Sequence, residues 1–243
     1  METTIKVEHL SKSYAGLPAV RDLTLEVRRS EVHGLLGANG AGKTTAIECI
    51  LGTRKADSGS VSILGMNPAA GRKKLFERVG VQFQEGSYQD RITVSELCSE
   101  TQSLYHSFTD YSLLLRQFGL SGKEKSPVSD LSGGQRQRLF IVLALIPAPE
   151  VVFLDELTTG LDARARRDVW KCLEGLKDNG LTIFLTSHFM DEAEILCDTI
   201  TILKSGETVF QGTVKEAIAA APYDTLEDAY LWFTGEEAEN ESI

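Results

Sequence analysis

The stretch "GANGAGKTT", from Gly37 to Thr45, limits what this chain can become more than any other. It follows an apolar run, "EVHGLLG", and opens a helical segment from about Lys43 that stops near Gly52. Strand, glycine loop and helix in that order, with G-x-x-x-x-G-K-[ST] spacing, describe a phosphate cradle. Gly37, Gly40 and Gly42 let the backbone curl until successive N–H groups point at phosphate oxygens, and the helix start adds partial positive charge. Lys43 then reaches the β- and γ-phosphates, and the Thr44 hydroxyl takes a place on Mg²⁺. The competing reading is a flexible glycine turn that happens to precede Lys-Thr.

"VVFLDE" bears on that choice. Val151 to Leu154 are apolar on both faces, as a buried parallel strand must be, and they deliver Asp155 and Glu156 at the strand end where α/β sheets bind ligands. Asp155 is suited to holding Mg²⁺, and Glu156 to orienting and deprotonating an attacking water. Two acids that merely cap a helix are the alternative. "LTIFLTSH" ends a third such strand on His188, open to a structural reading or to a γ-phosphate contact. Gln84, in "VQFQEG", is by itself a polar residue at a strand end. Tyr14 either stacks on a base or covers the β-lobe. In "LSGGQ", Ser132 can cap the helix that follows while Gly133 and Gly134 expose N–H groups. Capping alone is expected to explain the serine but neither both glycines nor Gln135. A second anion site is the better reading, yet one nucleotide cannot easily use both loops of one chain.

Around these motifs the pattern is α/β. "TIKVEHLSKSY" and "AVRDLTLEVRR" alternate as half-buried antiparallel strands do. Between about Gly86 and Asp130 the character turns helical. "TVSE", Thr93 to Glu96, is a capping box; Val94, Leu97, Cys98 and Leu104 share one helical face, and Tyr111, Leu114, Leu115 and Phe118 another, with Gly119 as a stop. The core then resumes with a helix from Asp162 (core positions Val169, Cys172, Leu173 and Leu176) and ends with one carrying Leu226, Ala229, Tyr230 and Phe233. Short apolar strands alternating with amphipathic helices imply a parallel sheet.

Composition excludes several alternatives. Cys49, Cys98, Cys172 and Cys197 form no C-x-x-C pair, which argues against zinc or redox sites and fits reduced thiols in cytosol. The formal charge of −10 is concentrated at the end, where eight acids and no Lys or Arg follow Lys215. No basic face for nucleic acid is expected. "METTIKVEHL" has no signal-peptide core, and the run "LFIVLALIPAP" falls far short of the ~20 residues that span a bilayer.

Taken in order, these elements resemble the nucleotide-binding subunit of an ABC transporter from Ile5 to about Gly212. The resemblance implies a P-loop NTPase (RecA-like) core with an N-terminal antiparallel β subdomain and an inserted α-helical subdomain, in one domain spanning 1–243. Its parts would be about 1–85 and 147–215 for β-lobe and core, about 86–146 for the helical insert with the signature, and about 216–243 for a C-terminal helix and acidic tail. Tyr14 matches the adenine-stacking loop. Gly37, Asn39, Gly40, Ala41, Gly42, Lys43, Thr44 and Thr45 match the Walker A loop. Ser132, Gly133, Gly134 and Gln135 match the signature, and Asp162 the D-loop. Glu156, His188 and Gln84 take the catalytic roles, and Thr44, Gln84 and Asp155 the metal. ATP and Mg²⁺ are implied. So is a head-to-tail dimer, homo- or heteromeric, in which one subunit's signature closes over the ATP held by the other's Walker A loop. Leu157 stands where the family usually has proline. "SHFMDEAEILCD" and "LEDAYLWFTG" look most like the ABC-2 and drug-export subclass. That implies an ATPase that powers export through a separate transmembrane permease, itself peripheral on the cytoplasmic face, with no nucleic acid among its partners. Residues after Gln84, including Tyr88 and Asp90, would border the groove for the permease. The alternative is a soluble ABC ATPase of cofactor assembly, repair or translation.

Overall fold

The computed structural model describes residues 2–83 and 88–236. In chain order the first elements are β1 (Thr3–Tyr14), β2 (Leu17–Arg28), β3 (Val32–Leu36), α1 (Lys43–Ile50) and β4 (Ser58–Ile63). Next come α2 (Arg72–Leu75), β5 (Val79–Gln82), α3 (Val94–Ser103), α4 (Tyr111–Gln117) and α5 (Gly133–Leu145). The rest are β6 (Val151–Leu154), α6 (Ala163–Asp178), β7 (Thr182–Ser187), α7 (Met190–Leu196), β8 (Thr199–Lys204), β9 (Glu207–Thr213), α8 (Val214–Ala220) and α9 (Leu226–Thr234). No helix among the described residues is long and apolar enough to cross a membrane. The chain divides into two compact units, residues 1–72 with 184–243, and residues 73–183.

In the first unit, β1 is the centre of a three-stranded antiparallel sheet in the order β2–β1–β4. Ile5 and Val7 face inward, as their alternation requires, and Leu10 joins them past a register shift between Val7 and Leu10; all three are buried, as are Leu23, Leu25 and Val27 of β2. β3 is buried at all five positions and pairs in parallel with β8, which pairs antiparallel with β9. A strand apolar throughout can be satisfied only with both faces covered.

One polar side chain breaks that run. His33 lies 1% exposed on β3, between Thr199 and Thr201 of β8 and against the ring of Phe184. The Thr199 hydroxyl donates to Glu31, so it must accept from His33 Nδ1–H at 2.8 Å. Nε2 is thereby left to accept from the Thr201 hydroxyl at 3.1 Å. Both ring nitrogens are satisfied only in the neutral form, and burial lowers the pKa from 6.5 to about 4. The unfolded chain takes up a proton near pH 6.5 that the folded chain refuses until about pH 4. Stability from this group is therefore complete above pH 6.5 and drains as the pH falls across that window, by about 3 kcal/mol. Thermal melts should show His33→Gln losing less stability between pH 6.5 and 4 than the wild type; parallel curves would contradict the assignment.

In the second unit, β5 and β6 pair in parallel, Val79 opposite Val151 and Gln82 opposite Leu154. α5 packs on both strands and on α3 and α4. Its approach to β5 is close: a Cβ at Gly80 would lie 2.0 Å from the Ala144 carbonyl oxygen. The capping box at Thr93–Glu96 forms, and α4 buries Leu114 and Leu115, followed by buried Phe118. Two details of α6 differ from expectation. Cys172 and Leu176 are only half-buried, and Trp170 is buried beside Val169 and Leu173. The Cys172 thiol donates to the Gln117 carbonyl at 3.3 Å, and the Arg166 guanidinium lies over the Trp170 ring.

Candidate active site

β3 ends at Leu36 and the chain turns through Gly37–Gly42 into α1. Gly42 is the N-cap residue, with φ 106°, and a Cβ there would lie 2.2 Å from the Ala19 carbonyl oxygen. Only glycine satisfies both constraints. Lys43 is 5% exposed and folds back over the loop, its ammonium donating to the carbonyls of Gly37 at 2.7 Å and Ala38 at 3.1 Å. Asn39, Gly40 and the Thr44 side chain are exposed, and Ala41 and Gly37 are buried beneath them; Thr45 is half-buried.

The loop is braced from behind by residues that the local sequence does not single out. Gly206, in the turn between β8 and β9, donates to the Ala41 carbonyl at 2.9 Å, and its own carbonyl accepts from Arg21. Tyr230 of α9 hydrogen-bonds the Ala38 backbone; burial and Glu236 raise its phenol pKa, against that bond. Helical periodicity places Tyr230 on a buried face but says nothing of where its hydroxyl goes.

Tyr14 closes β1 with its ring 40% exposed and cations to hand, Arg54 5.3 Å and Lys12 5.6 Å from its centroid. So exposed a ring is poor cover for a core. Lys12 pairs with Asp57 and Arg54 with Glu48, which anchors both beside the ring. His188 follows β7, half-buried, its ring centroid 4.1 Å from that of Phe189. Its Nδ1 is buried and has no hydrogen-bond partner among the described residues.

The second unit carries the acids and the second loop. All four residues of β6 are buried and Asp155, next, is 1% exposed. The Asp155 N–H donates to the Gln82 carbonyl at 3.0 Å, and the Gln82 amide donates to Phe83 and to the Asp155 carbonyl. The strand end is thus fixed up to the residue before Glu156. Glu156 is half-buried in the left-handed region at φ 50°. Leucine at 157 spares it the restriction that a following proline would impose. Leu157 is fully buried, so an apolar residue is needed here for packing.

At the signature, Ser132 caps α5: its hydroxyl accepts from the Gln135 N–H at 3.2 Å, and the Gln135 side chain accepts from the Ser132 N–H at 3.1 Å. This capping box corrects the expectation that capping leaves Gln135 unexplained. The pattern S-x-x-Q was legible as such a box. The glycines stand differently. A Cβ at Gly133 would meet nothing within 4 Å, and one at Gly134 would meet only Leu161 Cδ2, at 3.1 Å. The chain's own packing does not demand glycine at 133. Asp162 caps α6, its carboxylate accepting from the Ala165 N–H at 2.8 Å. Gln84 lies outside the described residues.

Comparison with known proteins identifies the family and the fold. The family model described as "ABC transporter" matches residues 20–159. Nod factor export ATP-binding protein I of Ralstonia nicotianae is 38% identical over 220 residues, 88% of this chain and 68% of that protein. Daunorubicin resistance ATP-binding protein DrrA3 of Streptomyces coeruleorubidus is 32% identical over 231 residues, 93% and 73% of the two chains. Among solved structures, an ATP-binding subunit of an ABC transporter superposes with a TM-score of 0.87 at 28% identity, covering 95% of this chain and 99% of that one. The chain belongs to the ABC transporter family, with the mixed α/β fold of its ATP-binding cassettes, and is an ATPase.

Proposed function

We propose that this chain is the ATP-hydrolysing subunit of an exporter, working as a head-to-tail pair and driving a separate membrane-spanning permease. The observation that carries the reading is the presence of two helix starts suited to anions. One is the Gly37–Thr45 loop with its buried lysine, the other the capped, glycine-bearing start of α5. One nucleotide per subunit leaves the second start for a neighbour's nucleotide. Relatives named for Nod factor export and daunorubicin resistance support the direction of transport.

The loop N–H groups and Lys43 bind the β- and γ-phosphates, and Tyr14 stacks on the base. Glu156 takes the proton from the attacking water, and His188 and Gln84 act at the γ-phosphate. Ser132 to Gln135 and Asp162 act on the neighbour's nucleotide. The donor set fits Mg²⁺: the Thr44 hydroxyl and the Asp155 carboxylate are hard oxygen ligands, with Gln84 a third. Mg²⁺ needs few protein ligands beside phosphates and water. Among the described residues no cluster of three or more His, Cys, Asp or Glu offers a different metal a cage. When bound, Mg²⁺ neutralises charge on the β- and γ-phosphate oxygens.

Docking to the permease is assigned to the second unit, where Leu104, Phe108 and Leu113 are exposed apolar side chains. Tyr88 packs against the Phe140 ring, so changing it would also disturb the fold, whereas Asp90 is exposed. In cells that also make a membrane-spanning permease of this family as its partner, the wild-type chain should sediment with membranes and leave in detergent with that permease. Asp90→Lys should weaken this association and spare basal hydrolysis by the isolated chain. A wild-type chain that hydrolyses ATP yet never joins the membrane would favour a non-transport ABC ATPase instead.

A further inference from the structure

We propose that Gln137 is a positioning residue for Glu156, through which the signature helix sets the catalytic carboxylate; this rests on the reading of Glu156 as the general base. Gln137 lies in the second turn of α5, whose first residues are the signature glycines. Its Nε2 donates to the Leu157 carbonyl at 2.9 Å and sits 3.5 Å from the Glu156 carbonyl. The amide can face only this way, since the reverse orientation would set its oxygen against two carbonyl oxygens.

What Gln137 holds is a backbone that needs holding. Glu156 is a non-glycine residue in the left-handed region, a conformation that persists only where its surroundings enforce it. Before it, Asp155 is tied to Gln82; after it, the Thr159 N–H bonds the Glu156 carbonyl at 3.3 Å. Gln137 supplies the side-chain restraint from α5. A Cβ placed on Gly134, one turn nearer the start of α5, would lie 3.1 Å from Leu161 Cδ2 in the same 156–161 segment, so the helix backbone passes close to it there. The beginning of α5 therefore bonds this segment at Gln137 and runs close beside it at Gly134. A shift of α5 as Ser132 to Gln135 engage the neighbour's nucleotide is passed to the Glu156 peptide through this bond. Hydrolysis in a subunit then becomes sensitive to whether its own signature is engaged.

Gln137→Met keeps the length of the side chain and removes the donor. It should lower kcat on the order of 10²-fold, the cost of a small misplacement of a reacting group, with KM for ATP within about threefold of wild type. Should that chain not fold, Gln137→Ala is read in the same way. Gln137→Lys returns an N–H donor at similar reach and should recover kcat to within about tenfold of wild type. Added to Glu156→Gln, Gln137→Met should cause no further loss, because both act through one group. A wild-type kcat in Gln137→Met overturns the proposal. So does a loss that lysine does not recover and that multiplies with Glu156→Gln. Undiminished turnover in Glu156→Gln alone would remove the base, and this proposal with it, whatever the Gln137 variants show.

Discussion

Replacing Glu156 with glutamine should leave ATP binding intact and cut steady-state hydrolysis at least about a hundredfold, the lower end of what a positioned general base contributes. The amide keeps the shape and hydrogen-bonding reach of the carboxylate but cannot take the proton from water at neutral pH. Lys43 and the loop N–H groups are untouched by the change, so affinity for ATP should be preserved. With hydrolysis blocked, ATP holds the two subunits together. Glu156→Gln should then elute from gel filtration as a dimer in Mg-ATP and as a monomer in ADP, while the wild type passes through the dimer only transiently. Hydrolysis at the wild-type rate would remove Glu156 from its role. A dead enzyme that stays monomeric in ATP would keep the base and discard the nucleotide-driven pairing.

Much of this could be read without coordinates because the informative residues obey local rules. β3 and β6 are apolar at nearly every position, and only a strand covered on both faces can be so. Thr93 with Glu96, and Gly119 at φ 66° after α4, mark helix ends by capping chemistry that acts over three or four residues. The phosphate loop is legible for the same reason, since its glycines answer to backbone geometry within one turn. His33 shows the limit. Its place on a buried strand was readable, but the threonines that satisfy it come from β8, more than 160 residues later. Tyr230 on Ala38 and Gln137 on Leu157 are likewise contacts that exist only once distant segments meet. At α6, periodicity pointed to Cys172 where the fold buries Trp170, because a large ring next to the helix's apolar stripe can be drawn in from its edge. Gln135 is a different case, for the capping box it completes was present in the sequence.

The pairing of two subunits is the claim on which the rest depends, and it can be tested by letting two broken chains repair one another. Lys43→Ala removes the ammonium from the phosphate loop and should abolish productive binding in its own subunit. Ser132→Arg removes the cap of α5 and sets a long side chain on the surface offered to the neighbour. Each homodimer then has two defective sites. In the mixed dimer one site joins both defects, and the other joins an intact loop to an intact signature. Differently tagged chains, co-purified through both tags so that only heterodimers remain, should hydrolyse Mg-ATP well above either mutant alone, or trap one nucleotide per dimer with vanadate if turnover needs both sites. Proven heterodimers that neither hydrolyse nor trap ATP would mean that both loops serve one nucleotide within one chain, contradicting the head-to-tail account.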